Sequence, residues 1–344
     1  MNKKKSRMMY LIPAILICLV IVYICTVVGA ANVHFSDANR ILLNKMFGMG
    51  NISDLSTGDV TIIWDIRLPR IILGFIAGSS LAVCGAGYQG IFKNPMADPF
   101  ILGVSSGAAL GAAIGIVLHF SSSFLGFSGT TLLAFAGSFA AIGLVYSISR
   151  VGGKVPVSTL LLSGVAVNST LSSVMSLIMM LNRNSMDQIM FWTMGSLNGK
   201  GWQQIITVLP WVIIGIVVLF ASSRELDIML TGEETATQLG INVEMVKRKV
   251  LIASSLITAA VISVTGIIGF VGLVVPHVVR LLTGPKHKIL LPTSLVFGGA
   301  FLVICDTVAR SATVSEIPVG VVTAVCGGPF FLYLLRKTKR GGVS

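Results

Sequence analysis

The residues able to carry chemistry are few and scattered. Four histidines stand at His34, His119, His277 and His287, and five cysteines at positions 18, 25, 84, 305 and 326. None of these has metal-ligand spacing, and the cysteines, nearly all inside apolar runs, read as small buried hydrophobes. No phosphate loop of the GxxxxGK[ST] type, no GxSxG elbow and no HExxH helix is present. The sequence therefore assigns no catalytic residue, no metal site and no cofactor. What remains are charges at the ends of apolar segments: Arg67-Leu68-Pro69-Arg70, Arg310, and a polar stretch at 223–248. A guanidinium is always charged and grips a carboxylate through two parallel hydrogen bonds. At a helix end it also commonly snorkels to lipid headgroups.

The elements that must position these residues are membrane helices. The chain has 344 residues, 54% hydrophobic and 11% charged. A soluble domain carries about 25% charged residues, so the deficit argues for a polytopic membrane protein and against a nucleic-acid binder, despite a net charge of +12. Crossing a bilayer takes about 20 apolar residues. The expected spans are 8–29, 68–91, 100–120, 128–149, 158–181, 202–222, 249–268, 270–283, 289–305 and 317–335, which makes ten. The first follows Lys3-Lys4-Lys5-Ser6-Arg7 and is too long for a signal peptide, so it reads as an uncleaved span with a cytoplasmic start. With an even count both termini face the cytoplasm. On that topology 18 of the 25 basic residues lie inside and the acids divide almost evenly, as the positive-inside rule requires. The segment 270–283, interrupted by Pro276-His277, is too short to cross unaided. Such broken segments occur where they are buried in protein or line a cavity.

Two polar segments stand out. Residues 30–66 form an outer loop. Residues 223–248 form the longest cytoplasmic segment, where Thr231 precedes Glu234 by three residues as in a capping box, and Gly240 suits a helix end. The segment thus reads as a compact helical knob. Asp and Glu are absent from the interior of every predicted span. Ion-coupled carriers place ionisable groups at membrane depth. Only His277 qualifies, and one turn from Arg280 it reads as a residue near a cytoplasmic helix end. An ion-coupled secondary transporter is therefore the alternative reading, and energy supplied by a partner is the leading one. Met175, Met179, Met180, Met186, Met190 and Met194 read first as gap-filling core and second as a vestibule lining.

Taken together, several blocks resemble the iron-chelate and cobalamin permeases, the membrane subunits of type II ABC importers. They are Arg67-Leu68-Pro69-Arg70, Gly85-Ala86-Gly87-Tyr88-Gln89, Asn94-Pro95-Met96-Ala97-Asp98-Pro99, Phe191 to Leu197, Gly232 to Gly240, and Gly266 to Arg280 continuing to Asp306-Thr307-Val308-Ala309-Arg310 and Glu316 to Gly320. The resemblance implies an all-α fold of about ten spans, forming a single permease domain over residues 1–344 in a bacterial cytoplasmic membrane. It implies a homodimer with the pathway at its axis, surrounded by membrane lipid. Two cytoplasmic ATP-binding subunits would hydrolyse the ATP, and an extracytoplasmic binding protein would deliver an iron–siderophore, haem or cobalamin. It also implies roles: Arg67, Arg70 and Arg310 receive carboxylates of the binding protein; Glu234, Ala236, Leu239 and Gly240 couple to the ATPase; Asn94, Met96, Val157 and Ser158 close the cytoplasmic end of the pathway. The family commonly has leucine where Met96 stands, and one member has threonine where Val157 stands.

Overall fold

A computed structural model describes residues 11–28, 33–120, 123–124, 127–150, 152, 155–313 and 315–341. The basic residues at positions 3–7 lie outside them. Its helices are α1 (Leu11–Val27), α2 (Phe35–Phe47), α3 (Thr57–Thr61), α4 (Leu68–Ile91), α5 (Val104–Val117), α6 (Gly129–Ser149), α7 (Val157–Leu181), α8 (Met186–Thr193), α9 (Trp202–Ala221), α10 (Ser223–Met229), α11 (Glu233–Gln238), α12 (Val243–Thr265), α13 (Val271–Thr283), α14 (His287–Ala312) and α15 (Val319–Gly341). A π-helical stretch, Ile62–Arg67, makes α3 and α4 continuous. A two-residue hairpin, Ser123–Phe124 with Phe127–Ser128, precedes α6.

Six described helices are long and apolar enough to cross a membrane, and four shorter apolar ones, within α1, α5, α13 and α15, bring the set to the expected ten. The fold is all-α, as expected. The short α13 has 13 residues, about 20 Å at 1.5 Å per residue, well under the bilayer core of about 30 Å. Its first six residues, Val271 to Pro276, are buried, as a broken segment requires. Phe270, just before it, takes a left-handed φ of 68°.

Three boundaries differ from expectation. The seventh span starts at Val243, because the charged run Lys247-Arg248-Lys249 is absorbed into α12 with Lys247 buried; the cytoplasmic knob is thus shorter than 223–248. The outer loop 30–66 is not loose: α2 and α3 fold onto each other, with Ala38, Ile41 and Ile63 fully buried. The capping box is not formed. Gly232 is the N-cap of α11 and accepts no side-chain bond, while Thr231 Oγ1 donates back to the Ile228 carbonyl at 2.8 Å.

α4 is the central helix, buried along nearly its whole length. In a membrane no hydrophobic effect drives helix on helix, so association depends on close backbone approach at small residues. A Cβ added at Gly78 would stand 2.2 Å from the Gly298 carbonyl of α14, and one at Gly85 would stand 1.7 Å from the Gly272 carbonyl of α13. The same device joins α5 to α6, where a Cβ at Gly107 would lie 2.3 Å from the Gly137 carbonyl. Gly85→Ala is therefore expected to lose about 2–3 kcal/mol of stability through overpacking against main chain. Gly143→Ala, where an added Cβ meets nothing within 4 Å, should leave the detergent-solubilised thermal midpoint unchanged.

Candidate functional site

Polar residues on an exposed transmembrane face are expensive unless they meet water or protein. α7 has such a face: Ser169, Thr170, Ser172, Ser173 and Ser176 are exposed. Several of their hydroxyls donate to the carbonyl one turn back, as Ser173 does to Ser169 at 2.9 Å and Ser176 to Ser172 at 2.9 Å. The exposed face of α9 is of the opposite kind, with Ile206, Ile213, Ile214 and Val217. The exposed surface of α9 is thus aliphatic, whereas that of α7 mixes these hydroxyls with Leu162, Val165, Val174 and Leu177.

Asn168 is the polar pivot of α7. Its Nδ2 donates to the Phe100 and Ile101 carbonyls at 3.3 and 3.2 Å, and its Oδ1 accepts from Ser106 Oγ at 2.6 Å. Gly164 lets α7 seat against this turn, where an added Cβ would come 2.3 Å from the Ile101 carbonyl. Asn168 thus ties α7 to the stiff turn after α4, whose Pro99 and Phe100 begin a short 3-10 helix capped by Asp98. A cleft of about 430 Å³ opens here, with Asp98, Ser105, Asn168, Ser172 and Thr193 among its walls. Burial pushes the Asp98 carboxyl up to about 6, against the lowering effect of the Phe100 N–H.

The expected gate residues are less closely joined. Asn94 is exposed and caps its own turn, accepting from the Met96 N–H at 2.9 Å. Met96 and Val157 are half-buried and Ser158 is exposed. No hydrogen bond links Asn94 or Met96 to Val157 or Ser158 among the described residues. The methionines also differ from the core-filling expectation. Met180, Met186, Met190 and Met194 are exposed, and Met179, Met180 and Met186 flank an outer cleft of about 440 Å³ with Arg183. Only Met175 and Met179 fit that expectation, packed against Ala113, Ile116 and Ile189.

At the end of the bundle expected to face outward, the three arginines point inward, with exposures of 4% for Arg67, 6% for Arg70 and 4% for Arg310. Arg70 is fully engaged. Its Nε and Nη2 contact Asp306 at 2.9–3.1 Å, and its Nη1 meets Glu316 at 2.9 Å. Arg67 donates to the Val27 carbonyl at 2.7 Å, and Arg310 to the Cys25 carbonyl. These bonds tie the end of α1 to the start of α4 and the end of α14. Two expectations are corrected. Arg70 is not presented as a free surface cation, because Asp306 neutralises it. An acid does occur inside a transmembrane helix: Asp306 lies in α14, 1% exposed, one residue beyond the span expected from hydropathy.

In the knob expected on the cytoplasmic side, Glu234, Leu239 and Gly240 are exposed, Leu239 at 65%. Gly240 has a φ of 82°, a left-handed conformation that glycine takes without steric cost. Ala236 is corrected: it is fully buried, because α11 packs its small face onto α10 and α12 and shares a core with Leu226, Met229 and Val246. α11 is held to α12 by Lys247, which pairs with Glu233 at 2.9 Å and Glu244 at 3.4 Å. α10 is fastened to α14 through Asp227 and His287. Asp227 Oδ1 accepts the His287 N–H at 2.5 Å and lies 3.2 Å from its Nδ1. Burial raises the Asp227 carboxyl, but these bonds outweigh it and the net shift is downward.

Residues 16–337 match the FecCD transport family. The chain belongs to that family. It is the permease component of an ABC import system and a multi-pass membrane protein. It is 50% identical over 275 residues to a cobalamin import system permease of Halobacterium salinarum, covering 80% of this chain and 73% of that one. It is 38% identical to an Fe(3+)-citrate import system permease of Bacillus subtilis, covering 98% and 97%. It is 37% identical to a hemin transport system permease of Yersinia pestis, covering 80% and 84%. A solved structure described as an inward-facing metal-chelate type ABC transporter aligns with a TM-score of 0.81 at 27% identity, over 95% of this chain and 99% of that one.

Within this FecCD chain, Asn168, Asp306, Glu316 and the Asp227–His287 pair went unassigned in the sequence. Asn168 carried a signal, as a lone amide inside an apolar span. The others did not, since their partners lie 60 to 246 residues away. Arg70→Met is expected to cost about 3–5 kcal/mol, because it leaves the Asp306 charge buried and unpaired. Arg70→Met with Asp306→Leu should recover most of the loss. Thermal midpoints of the detergent-solubilised variants check this, and an Arg70→Met protein as stable as wild type would refute it.

Proposed function

We propose that the chain is the membrane subunit of an ATP-driven importer of a bulky metal chelate, working as a homodimer with the pathway between two copies of α7. The observation that supports this reading is the run of five exposed hydroxyls on α7, Ser169 to Ser176, where the exposed surface of α9 is aliphatic. A second copy and an aqueous pathway would satisfy that polar face. The exposed Met180 of α7 and Met186, Met190 and Met194 on and after α8 suit a bulky, irregular solute.

Two separate ATP-binding subunits dock on the knob, where exposed Leu239 with Glu234 and Gly240 forms the contact and buried Ala236 holds α11 rigid. An extracytoplasmic binding protein docks at the outer end. There its carboxylates reach Arg67, Arg70 and Arg310 by displacing Glu316, the partly exposed member of the cluster. Asn94, Met96, Val157 and Ser158 close the cytoplasmic end, and both termini lie in the cytoplasm. The cargo is a corrinoid, supported by the relative of 50% identity being named a cobalamin permease, against 34–38% for those named for iron chelates or hemin. One observation favours the ion-coupled reading: a titratable Asp98 beside the pathway cleft.

In proteoliposomes, cobalamin uptake should require this chain, its ATPase, its binding protein and ATP, and should persist in Asp98→Asn. Leu239→Glu should abolish co-purification of the ATPase and reduce uptake to background while leaving the permease folded. Uptake by the chain alone on an ion gradient, or its loss in Asp98→Asn alone, would overturn the proposal. With cysteines introduced at Ser172 and Ser176 in a Cys326→Ser background, water-soluble thiol reagents should label both. A cysteine at Ile213 of α9 should stay unlabelled, and equal labelling at all three would remove α7 from the pathway.

A further inference from the structure

Three consecutive basic residues, Lys247, Arg248 and Lys249, lie in the second turn of α12, and the fold treats them differently. Lys247 is paired with Glu233 and Glu244, and Lys249 lies 3.9 Å from Glu225. Arg248 is exposed and makes no ion pair or hydrogen bond among the described residues. It stands instead at the rim of a pocket of about 220 Å³ between α6, α7 and α12. Below the guanidinium the walls are aliphatic: Leu102, Ile142, Val145, Leu160 and Leu251. Tyr146 shares the rim.

The depth of these residues is telling. Arg248 is five residues into α12 and Tyr146 three residues from the end of α6. At 1.5 Å per residue both lie within about 8 Å of the helix ends that the basic residues assign to the cytoplasm. Ser255, at the floor, lies about 10 Å deeper. A cation and an interfacial tyrosine thus stand at headgroup level over an aliphatic hole at acyl level. The hole opens sideways, where Gly143 and Ile252 are exposed and a Cβ added at Gly143 meets nothing within 4 Å. Basic pockets between transmembrane helices on the cytoplasmic side recognise anionic lipid headgroups.

We infer that this pocket is a binding site for an anionic phospholipid of the inner leaflet, with the phosphate on Arg248 and one acyl chain in the aliphatic hole. The neighbouring lysines are neutralised by acids of the knob, so the unpaired charge is directed at the membrane. An acyl chain of defined length fills a slot that α6, α7 and α12 leave open, and the lipid bridges the pathway helix to the helix that carries the knob.

The test is native mass spectrometry of the detergent-purified permease without its ATPase, supplied with equal amounts of phosphatidylglycerol and phosphatidylcholine of identical chains. Wild type should retain phosphatidylglycerol about fivefold over phosphatidylcholine, the preference expected of one basic residue at the headgroup level. Arg248→Gln should erase the preference. Gly143→Leu, filling the hole, should reduce retention of both lipids. Both positions are exposed, and circular dichroism will verify that each variant folds. Equal retention of the two lipids by wild type would overturn the site. So would an unchanged preference in Arg248→Gln, or unchanged retention in Gly143→Leu.

Discussion

Main chain packed against main chain at the seams of α4 is the constraint from which the rest of this molecule follows. Gly78 meets Gly298 and Gly85 meets Gly272 with no room for a Cβ. Lipid tails are as apolar as leucine, so burial alone does not hold two membrane helices together. Dispersion at short range does, and small residues permit it. With α4 clamped between α13 and α14, the short α13 is supported although it cannot span by itself. The turn after α4 then has a rigid base from which the Phe100 and Ile101 carbonyls reach Asn168 of α7.

The same clamp explains the charges at the outer end. α4 and α14 run together, so Arg70 near the start of one meets Asp306 near the end of the other. A guanidinium and a carboxylate at that depth are each costly alone and acceptable together. Arg67 and Arg310 spend their donors on carbonyls left open at the end of α1, where the last turn of a helix has no partners of its own. The cluster is a fastening for three helices in which three guanidiniums meet two carboxylates. Glu316 is its most accessible member.

At the opposite end, the knob is joined to the bundle by few but specific contacts. Lys247 holds α11, and Asp227 with His287 holds α10 against α14. α7 differs from both regions because little of its own chain covers it. Its hydroxyls and Met180 remain exposed, as do Leu162, Val165 and Leu177, which leaves that helix open to lipid or to a second subunit.

The ten apolar segments, the weakness of the eighth and the helical knob were legible in the sequence, because hydropathy and helix length are local properties. The family blocks were legible for the same reason. Four matters were decided only by tertiary structure: that Arg70 turns inward to Asp306, that Ala236 packs against its own chain, that four of the six methionines stay uncovered, and that Asn168 anchors the Asp98–Leu102 turn. Each depends on which residue distant in sequence arrives alongside. Asp306 is 236 positions from Arg70, and no periodicity along the chain encodes that meeting. Composition and spacing determine that helices form and roughly where they end. Close packing determines which of their charges neutralise one another and which face remains open.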